Sequence, residues 1–357
     1  MQNEIKQLTG LRGVAAIVVA IAHFNFSSIS FFKFIAFHNE SVDLFFCLSA
    51  FTLCIVYKPD HQSLNFKNYF ASRFARIYPL YILTLIASTI LCFKLKIYGF
   101  DSYTFESGIF EFIKQALLIN ALPFFSGIHW NPPAWSLSVE FFCYCFIFPV
   151  FFIFKNTPLT TNSAIRFLTI LLLCATSAYY TTHFFNPDIS TPGHPPANIT
   201  VHSALIIRGV LLFTAGWLTY ESFTKRDWLF IASQKYKNCI FTLIVIILIA
   251  KYLNKIPGSV LFFLWPILIL TLLDEQFWLS KFLSTRLMHQ VGLISYSVYL
   301  WHFPIKLIIE HYHLQSKIRL AIFIPSVLTL TIVVSIISYY LFEKTQRDKL
   351  KHFLQNI

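Results

Sequence analysis

The chain has 357 residues, of which 56% are hydrophobic, 18% aromatic and only 12% charged, where a soluble domain carries about 25% charge. With 41 phenylalanines and a mean hydropathy of +0.63, it holds more apolar surface than a soluble protein of this size can bury. That excludes a soluble globular enzyme, a nucleic-acid-binding domain and a disordered chain. The net charge of +12 would suggest nucleic acid in a soluble protein, but the basic residues fall between apolar runs, as in multispan membrane proteins.

Ten stretches are long and apolar enough to cross a bilayer as helices: 11–30, 42–58, 77–96, 134–154, 164–183, 203–222, 238–253, 258–275, 288–310 and 320–342. The expected fold is an all-α polytopic membrane protein of about ten transmembrane helices. Lys6 and Arg12 precede the first apolar run, and no small-residue cleavage site follows, so this run reads as a retained span. Segment 107–119 is apolar on one face and too short to span, and is expected at the interface or against the bundle. With the N-terminus in the cytoplasm, most of the 28 basic residues fall on the inner side, including Lys58, Lys67, Arg73, Arg76, Lys225 and Arg226. Both termini are therefore expected to be cytoplasmic. A membrane domain over 1–345 and a short cytoplasmic tail over 346–357 account for the chain. The seven cysteines lie in or beside apolar runs without a CxxC pair and read as small buried hydrophobes.

Ionisable residues inside spans are costly, so each marks a candidate site. In LRGVAAIVVAIAHF, Arg12 and His23 are eleven residues apart. That is about three turns, so both point from one helix face, with a rise of roughly 16 Å. Arg12 can also be read as snorkelling to headgroups, and His23 as a histidine bonded between helices. Arg73 and Arg76, three apart in SRFARIYPLY, share a face and could hold a phosphate with two planar forks, or could simply flank a span on its positive side. Glu140, inside a span after Trp135 and Ser136, must pair with a cation or carry a proton. Asp43 lies nearer a boundary, where an interfacial role is equally open. Arg208 and His302 complete the set, the latter also readable as a satisfied core histidine. The histidines His183, His194, His202, His311 and His313 match no metal-ligand spacing, and no metal is expected.

The order of these pieces resembles the acyltransferase 3 family of bacterial membrane proteins. Arg12, ten residues and His23 match its first-span element; VDLFFCLSAF matches a block usually ending SGF; RFARIYPLY carries its RxxR element; WSLSVE is shared; and SYSVYLWH is similar to a late SYxxYLxH element. Ala50 stands where the family usually has glycine. Glu343 is followed by Lys344 and Thr345 where a Glu-x-Pro is frequent, which weakens any role carried over to Glu343.

The resemblance implies transfer of an acyl group, usually acetyl, from cytosolic acyl-CoA to a sugar hydroxyl of an envelope glycan, in the bacterial inner membrane. Lipopolysaccharide O-antigen O-acetyltransferases are the most similar members. Arg12, Arg73 and Arg76 are then expected to bind the donor. His23 is the expected general base, with Glu140 and Asp43 as the catalytic carboxylates. Trp135, Ser136, Arg208, Tyr299 and His302 are expected to bind substrate. Acetyl-CoA, a lipid-linked or surface polysaccharide acceptor and membrane lipids are the expected partners. The rival reading is a secondary transporter or glycan exporter, which intramembrane charges and broken helices also suit. No inverted repeat is evident to support it.

Overall fold

The computed structural model describes residues 4–24, 37–59, 63–95, 105–123, 130–184 and 199–356, and every regular element among them is helical. The chain opens with α1 (Lys6–His23), α2 (His38–Tyr57) and α3 (Phe66–Leu95), followed by the short amphipathic α4 (Phe105–Ala116). A 3₁₀ turn (Pro132–Ala134) leads into α5 (Trp135–Phe142), a π-turn (Cys143–Ile147) and α6 (Phe148–Phe151). Then come α7 (Ser163–Phe184), α8 (Ile199–Thr224), α9 (Trp228–Lys235), α10 (Lys237–Tyr252), α11 (Trp265–Thr271), α12 (Trp278–Leu283), α13 (Arg286–Leu293) and α14 (Ser295–His311). The last helix is built from α15 (Leu320–Ser338), a π-turn (Tyr339–Glu343) and α16 (Lys344–Asn356).

Six of these helices are long and apolar enough to span a bilayer, and up to eight segments qualify if two bent pairs each count as one span. The bends are 79° between α9 and α10 and 61° between α13 and α14. Large apolar side chains such as Leu168, Leu172, Ile246 and Leu341 point outward from α7, α10 and the last helix, as lipid-facing surfaces require. This is the architecture of a membrane protein.

Several expected boundaries differ. Stretch 258–275 is not one long helix. A 3₁₀ turn over Gly258–Phe263 precedes the seven-residue α11, because Pro257 and Pro266 interrupt helical hydrogen bonding at two points. The first expected span, 11–30, corresponds to α1, which begins earlier, at Lys6, and is not among the helices that qualify by length and hydropathy. Residues 25–30 lie outside the described residues. The expected tail 346–357 continues the last helix as far as Asn356, and α16 packs along α3. Segment 107–119 forms α4, fastened to α3 by Tyr81, whose hydroxyl donates to the Gln115 carbonyl at 2.6 Å, and by Tyr78, which donates to Ala116. The cysteines are free, and Cys239 departs from expectation by being exposed.

At the centre α2 packs along α8, and α1 packs on α13 and α14. These approaches depend on glycine. A Cβ on Gly13 would come within 2.7 Å of the Gly292 backbone nitrogen, and one on Gly216 would collide with the Cys47 carbonyl of α2. In lipid, where no hydrophobic effect pulls helices together, such close backbone packing is a main source of association. Gly216→Val should therefore drive α2 and α8 apart, by analogy with overpacked cores that lose about 1–3 kcal/mol. Size-exclusion profiles and thermal melting in detergent should show a sharply reduced folded fraction. Gly108→Ala, whose Cβ would meet nothing within 4 Å, should behave like the unmodified protein.

Candidate active site

Helices α1, α2, α3 and α5 bring their charged residues to one place. Arg12 Nη2 donates to Ser49 Oγ of α2 at 3.3 Å, and Ser49 in turn hydrogen-bonds Glu140 Oε1 of α5. Tyr144, one helical turn beyond Glu140, donates to the same carboxylate oxygen, and its hydroxyl lies 2.8 Å from Ser49 Oγ. Each hydroxyl has a single proton. With both protons given to Glu140, the order is Arg12 to Ser49 to Glu140, and Tyr144 to Glu140. A serine thus bridges the guanidinium and the carboxylate, and the intramembrane charge of Glu140 has an ionised partner and two hydroxyl donors.

The π-turn sets the position of Tyr144. Its closing backbone bond returns to the Cys143 carbonyl. In the same register the Tyr144 carbonyl would face Pro149, which has no N–H. The Tyr69 hydroxyl of α3 supplies the missing donor at 2.8 Å. A neighbouring helix therefore satisfies the backbone group that proline leaves unpaired, as the membrane interior demands.

Two cavities adjoin this junction. The first, of about 330 Å³, is bordered by Arg12, Arg73, Arg76 and Tyr144, with Glu343 and Arg347 from the last helix. The second, of about 70 Å³, is bordered by Arg12, Arg76, Glu140 and Tyr144, and extends to Ser136 and Tyr299. Arg12, Arg76 and Tyr144 border both, so they stand where the two meet. Arg73 lies with its guanidinium 5.8 Å from the Tyr57 ring centre, and its buried Nε has no hydrogen-bond partner among the described residues. A chamber with four guanidiniums and few carboxylates favours a polyanion, and planar forks favour phosphate.

Beyond the second cavity a polar wall leads to the histidines. Tyr299 donates to the Pro133 carbonyl at 2.7 Å and lies 2.6 Å from Ser136 Oγ. Its ring meets His302 edge-on at 5.8 Å, and the fully buried His302 ring is 4.9 Å from that of His23. His23, in the last turn of α1, borders neither cavity. Its Nδ1 is 2.8 Å from the Val19 carbonyl. A carbonyl only accepts, so Nδ1 carries a proton, and the neutral form of the ring would have its lone pair on Nε2.

Asp43 and Arg208 stand apart from the cavities. They form a two-pronged ion pair, Nε to Oδ1 at 2.9 Å and Nη2 to Oδ2 at 3.0 Å, with both side chains fully buried. The Arg208 guanidinium lies 5.2 Å from the Trp135 ring centre, and Trp135 packs on Phe46 of α2. This pair ties α2 to α8 and supports Trp135 at the start of α5. A second buried pair, Arg166 with Asp227 at 2.6 Å, fastens α7 to the α8–α9 junction.

The structure thus joins Arg12, Arg73, Arg76, Glu140, Ser136 and Tyr299 around two cavities that share part of their lining, and sets His23 beside His302. It pairs Asp43 with Arg208. The sequence reading passed over Ser49 and Tyr144. Ser49 lies in the VDLFFCLSAF block and Tyr144 four residues after Glu140, a spacing that puts two side chains on one helix face. It also passed over Arg347 and discounted Glu343.

Among the described residues these features make a helical membrane bundle with an arginine-lined cavity beside Glu140. A family model described as an acyltransferase domain matches residues 5–340. The chain belongs to the acyltransferase 3 family. It is also similar to two proteins called O-acetyltransferase OatA, from Staphylococcus aureus strains NCTC 8325 and COL, each 39% identical over 70 residues. That segment is 20% of this chain and 11% of each relative, so the chain spans only about a tenth of their length. No solved structure matches.

The Asp43–Arg208 pair gives a test that separates framework from chemistry. Asp43→Ala leaves a buried guanidinium without its counter-charge, at a cost of about 3–5 kcal/mol. Replacing both together, Asp43→Leu with Arg208→Met, should cost clearly less than Asp43→Ala. Thermal melting of the purified variants in detergent reads this difference. Equal losses would show that the two act independently.

Proposed function

We propose that this protein transfers an acetyl group from cytosolic acetyl-CoA to a sugar hydroxyl of a bacterial surface glycan, with lipopolysaccharide O-antigen as the favoured acceptor. The observation that carries the reading is the pair of adjoining cavities. The arginine-lined chamber suits the phosphates of coenzyme A, and the narrower chamber beyond it suits the pantetheine arm and thioester. The similarity to proteins named as O-acetyltransferases supports acetyl as the group and oxygen as its destination. The basic residues support an inner-membrane protein with both ends of the chain in the cytoplasm. Under that orientation Arg12, Arg73 and Arg76 face the donor's compartment.

In this mechanism the arginines bind the donor phosphates as forks, with Arg12 held in place by Ser49. Glu140 fixes Arg12 through Ser49 and keeps the Tyr144 hydroxyl at the junction of the chambers. His23, with its lone pair on Nε2, accepts the proton of the acceptor hydroxyl as that oxygen attacks the thioester carbonyl. The carbon–sulfur bond breaks, coenzyme A leaves as the thiolate, and the proton held by His23 passes to it to give the thiol and restore the base. His302 packs against His23 and limits the tilt of its ring. Ser136 and Tyr299 line the approach from the other side, with Trp135 held behind them by the Asp43–Arg208 pair. The acceptor would enter near Trp130 and the segment 183–202. His129 and most of that segment lie outside the described residues.

His23→Ala should reduce acyl transfer by about 10²–10⁴-fold, the usual contribution of a positioned base, while membrane insertion and folding persist. The measurement is acetyl transfer from acetyl-CoA by the purified protein, together with the acetyl content of the cell-surface glycan by NMR. Near-normal acetylation in that variant removes His23 from the reaction.

Arg73→Lys and Arg76→Lys keep the charge and lose the planar fork. Each should raise the apparent KM for acetyl-CoA about tenfold, the scale of one charge-assisted contact. If both arginines act only as topology signals, lysine serves equally well and the kinetics stay as they are.

A further inference from the structure

We propose that Arg347, in the helix that ends the chain, is a specificity residue for the nucleotide end of the donor and contacts its ribose phosphate. The inference rests on the coenzyme A reading above and deepens it. Arg347 lies beyond residue 340, where the family match ends, so the shared motifs do not include it. The fold nonetheless carries it into the site. The last helix runs unbroken through the π-turn at Tyr339–Glu343, and α16 lies along α3, the helix that bears Arg73 and Arg76. Glu343, at the end of that turn, is buried and accepts from Ser297 of α14 at 2.6 Å. That contact anchors the helix one turn before Arg347.

The two cavities fix an order along the site. Arg12 and Arg76 border both chambers and mark the inner end of the first. Arg347 borders the first chamber only, together with Glu4 and Ile5 from just before α1, and so stands toward the outer end. A thioester that must reach Glu140 and Tyr299 requires the pantetheine arm to point inward. The diphosphate then lies near Arg12 and Arg76, and the nucleotide, with its ribose phosphate, lies outermost. Two guanidiniums border the first chamber alone, Arg73 of α3 and Arg347 of the last helix, and Arg347 is the one that lies beyond the shared motifs. Its side chain is 28% exposed, and its ion pair uses Nε alone, 3.4 Å from Asp348. An exposed pair of that kind is weak and does not compete with a dianionic phosphate for the guanidinium.

Coenzyme A and dephospho-coenzyme A differ only in the ribose phosphate, so they isolate this contact. Their affinities are measured by calorimetry on the full chain in lipid nanodiscs. The unmodified protein should prefer coenzyme A by about tenfold, the scale of one charge-assisted contact. Arg347→Gln should bind both ligands equally, at the affinity the unmodified protein has for dephospho-coenzyme A. That retained affinity also shows that the variant is folded. Arg347→Lys should keep part of the preference, and Arg76→Gln should weaken both ligands while preserving their ratio. The proposal is overturned if Arg347→Gln keeps the full preference, if it loses both ligands together, or if the unmodified protein has no preference. If the unmodified protein binds neither ligand, the donor reading fails and this inference fails with it. If only Arg76→Gln has an effect, the donor reading stands and this inference alone falls.

Discussion

The arrangement of this protein turns on how a helix bundle holds several guanidiniums beside a carboxylate without letting them collapse into one ion pair. Arg12 and Glu140 are joined through Ser49 and not by direct contact. A direct pair would be stabilised by strong attraction at low dielectric, and both charges would then be consumed. The interposed hydroxyl keeps each polar group satisfied and leaves the guanidinium's remaining donors toward the cavity. Arg73 and Arg76 enter the same cavity from α3. Like charges gathered this way are a poor resting arrangement unless an anion completes them, which is the part the proposed function gives to the donor's phosphates.

The protein therefore uses buried charge in two ways. Where charge is fully paired it serves as framework: Asp43 with Arg208 and Arg166 with Asp227 are closed, directional and buried. Breaking either leaves one uncompensated charge, which makes such pairs fixed tie points between helices. Where charge is bridged, as at Arg12 and Glu140, or has no ion-pair partner among the described residues, as at Arg73 and Arg76, it borders open volume. Asp43 and Glu140 look alike in the sequence, each a single carboxylate in an apolar run. Only the partner tells them apart, and that partner comes from a helix 165 residues distant in one case and from adjoining hydroxyls in the other.

This distinction explains what the sequence discloses. Helical periodicity is local, so the shared face of Arg12 and His23, the adjacency of Arg73 and Arg76 and the cost of Glu140 follow from spacing alone. Long-range pairing is not local, which is why Arg208 reads as a free intramembrane cation until α8 is laid against α2. Helix irregularity is hidden as well. Nothing in CYCFIFP announces a π-turn, but the turn and Pro149 together leave a carbonyl for Tyr69 and set Tyr144 at the junction of the cavities. Stretch 258–275 has the hydropathy of a span, and Pro266 divides it. The basic last segment reads as a solvated tail, since no buried residue marks α16. Its role emerges only where it packs on α3.

The separation of the two ends of the site follows from the same physics. Guanidiniums are tolerable near a membrane surface and costly at its middle, so an anion-binding chamber belongs at the end of α1 where Arg12 lies. His23 stands eleven residues further along the same face, roughly 16 Å away. There a neutral imidazole is tolerable and a guanidinium is not. One helix thus grades from a permanent cation at Arg12 to an imidazole at His23. Under the proposed function, that gradient fits the chemistry at each depth: fixed charge where the donor's phosphates are held, and a base without permanent charge where the thioester and the sugar hydroxyl meet. The Ser136–Tyr299 wall and the His302 ring lie between the inner cavity and His23. Tyr299 is held at Pro133 by its hydroxyl, so a shift in the 3₁₀ turn that begins α5 would release it. Under the proposed function, that turn is then placed to control access to the base.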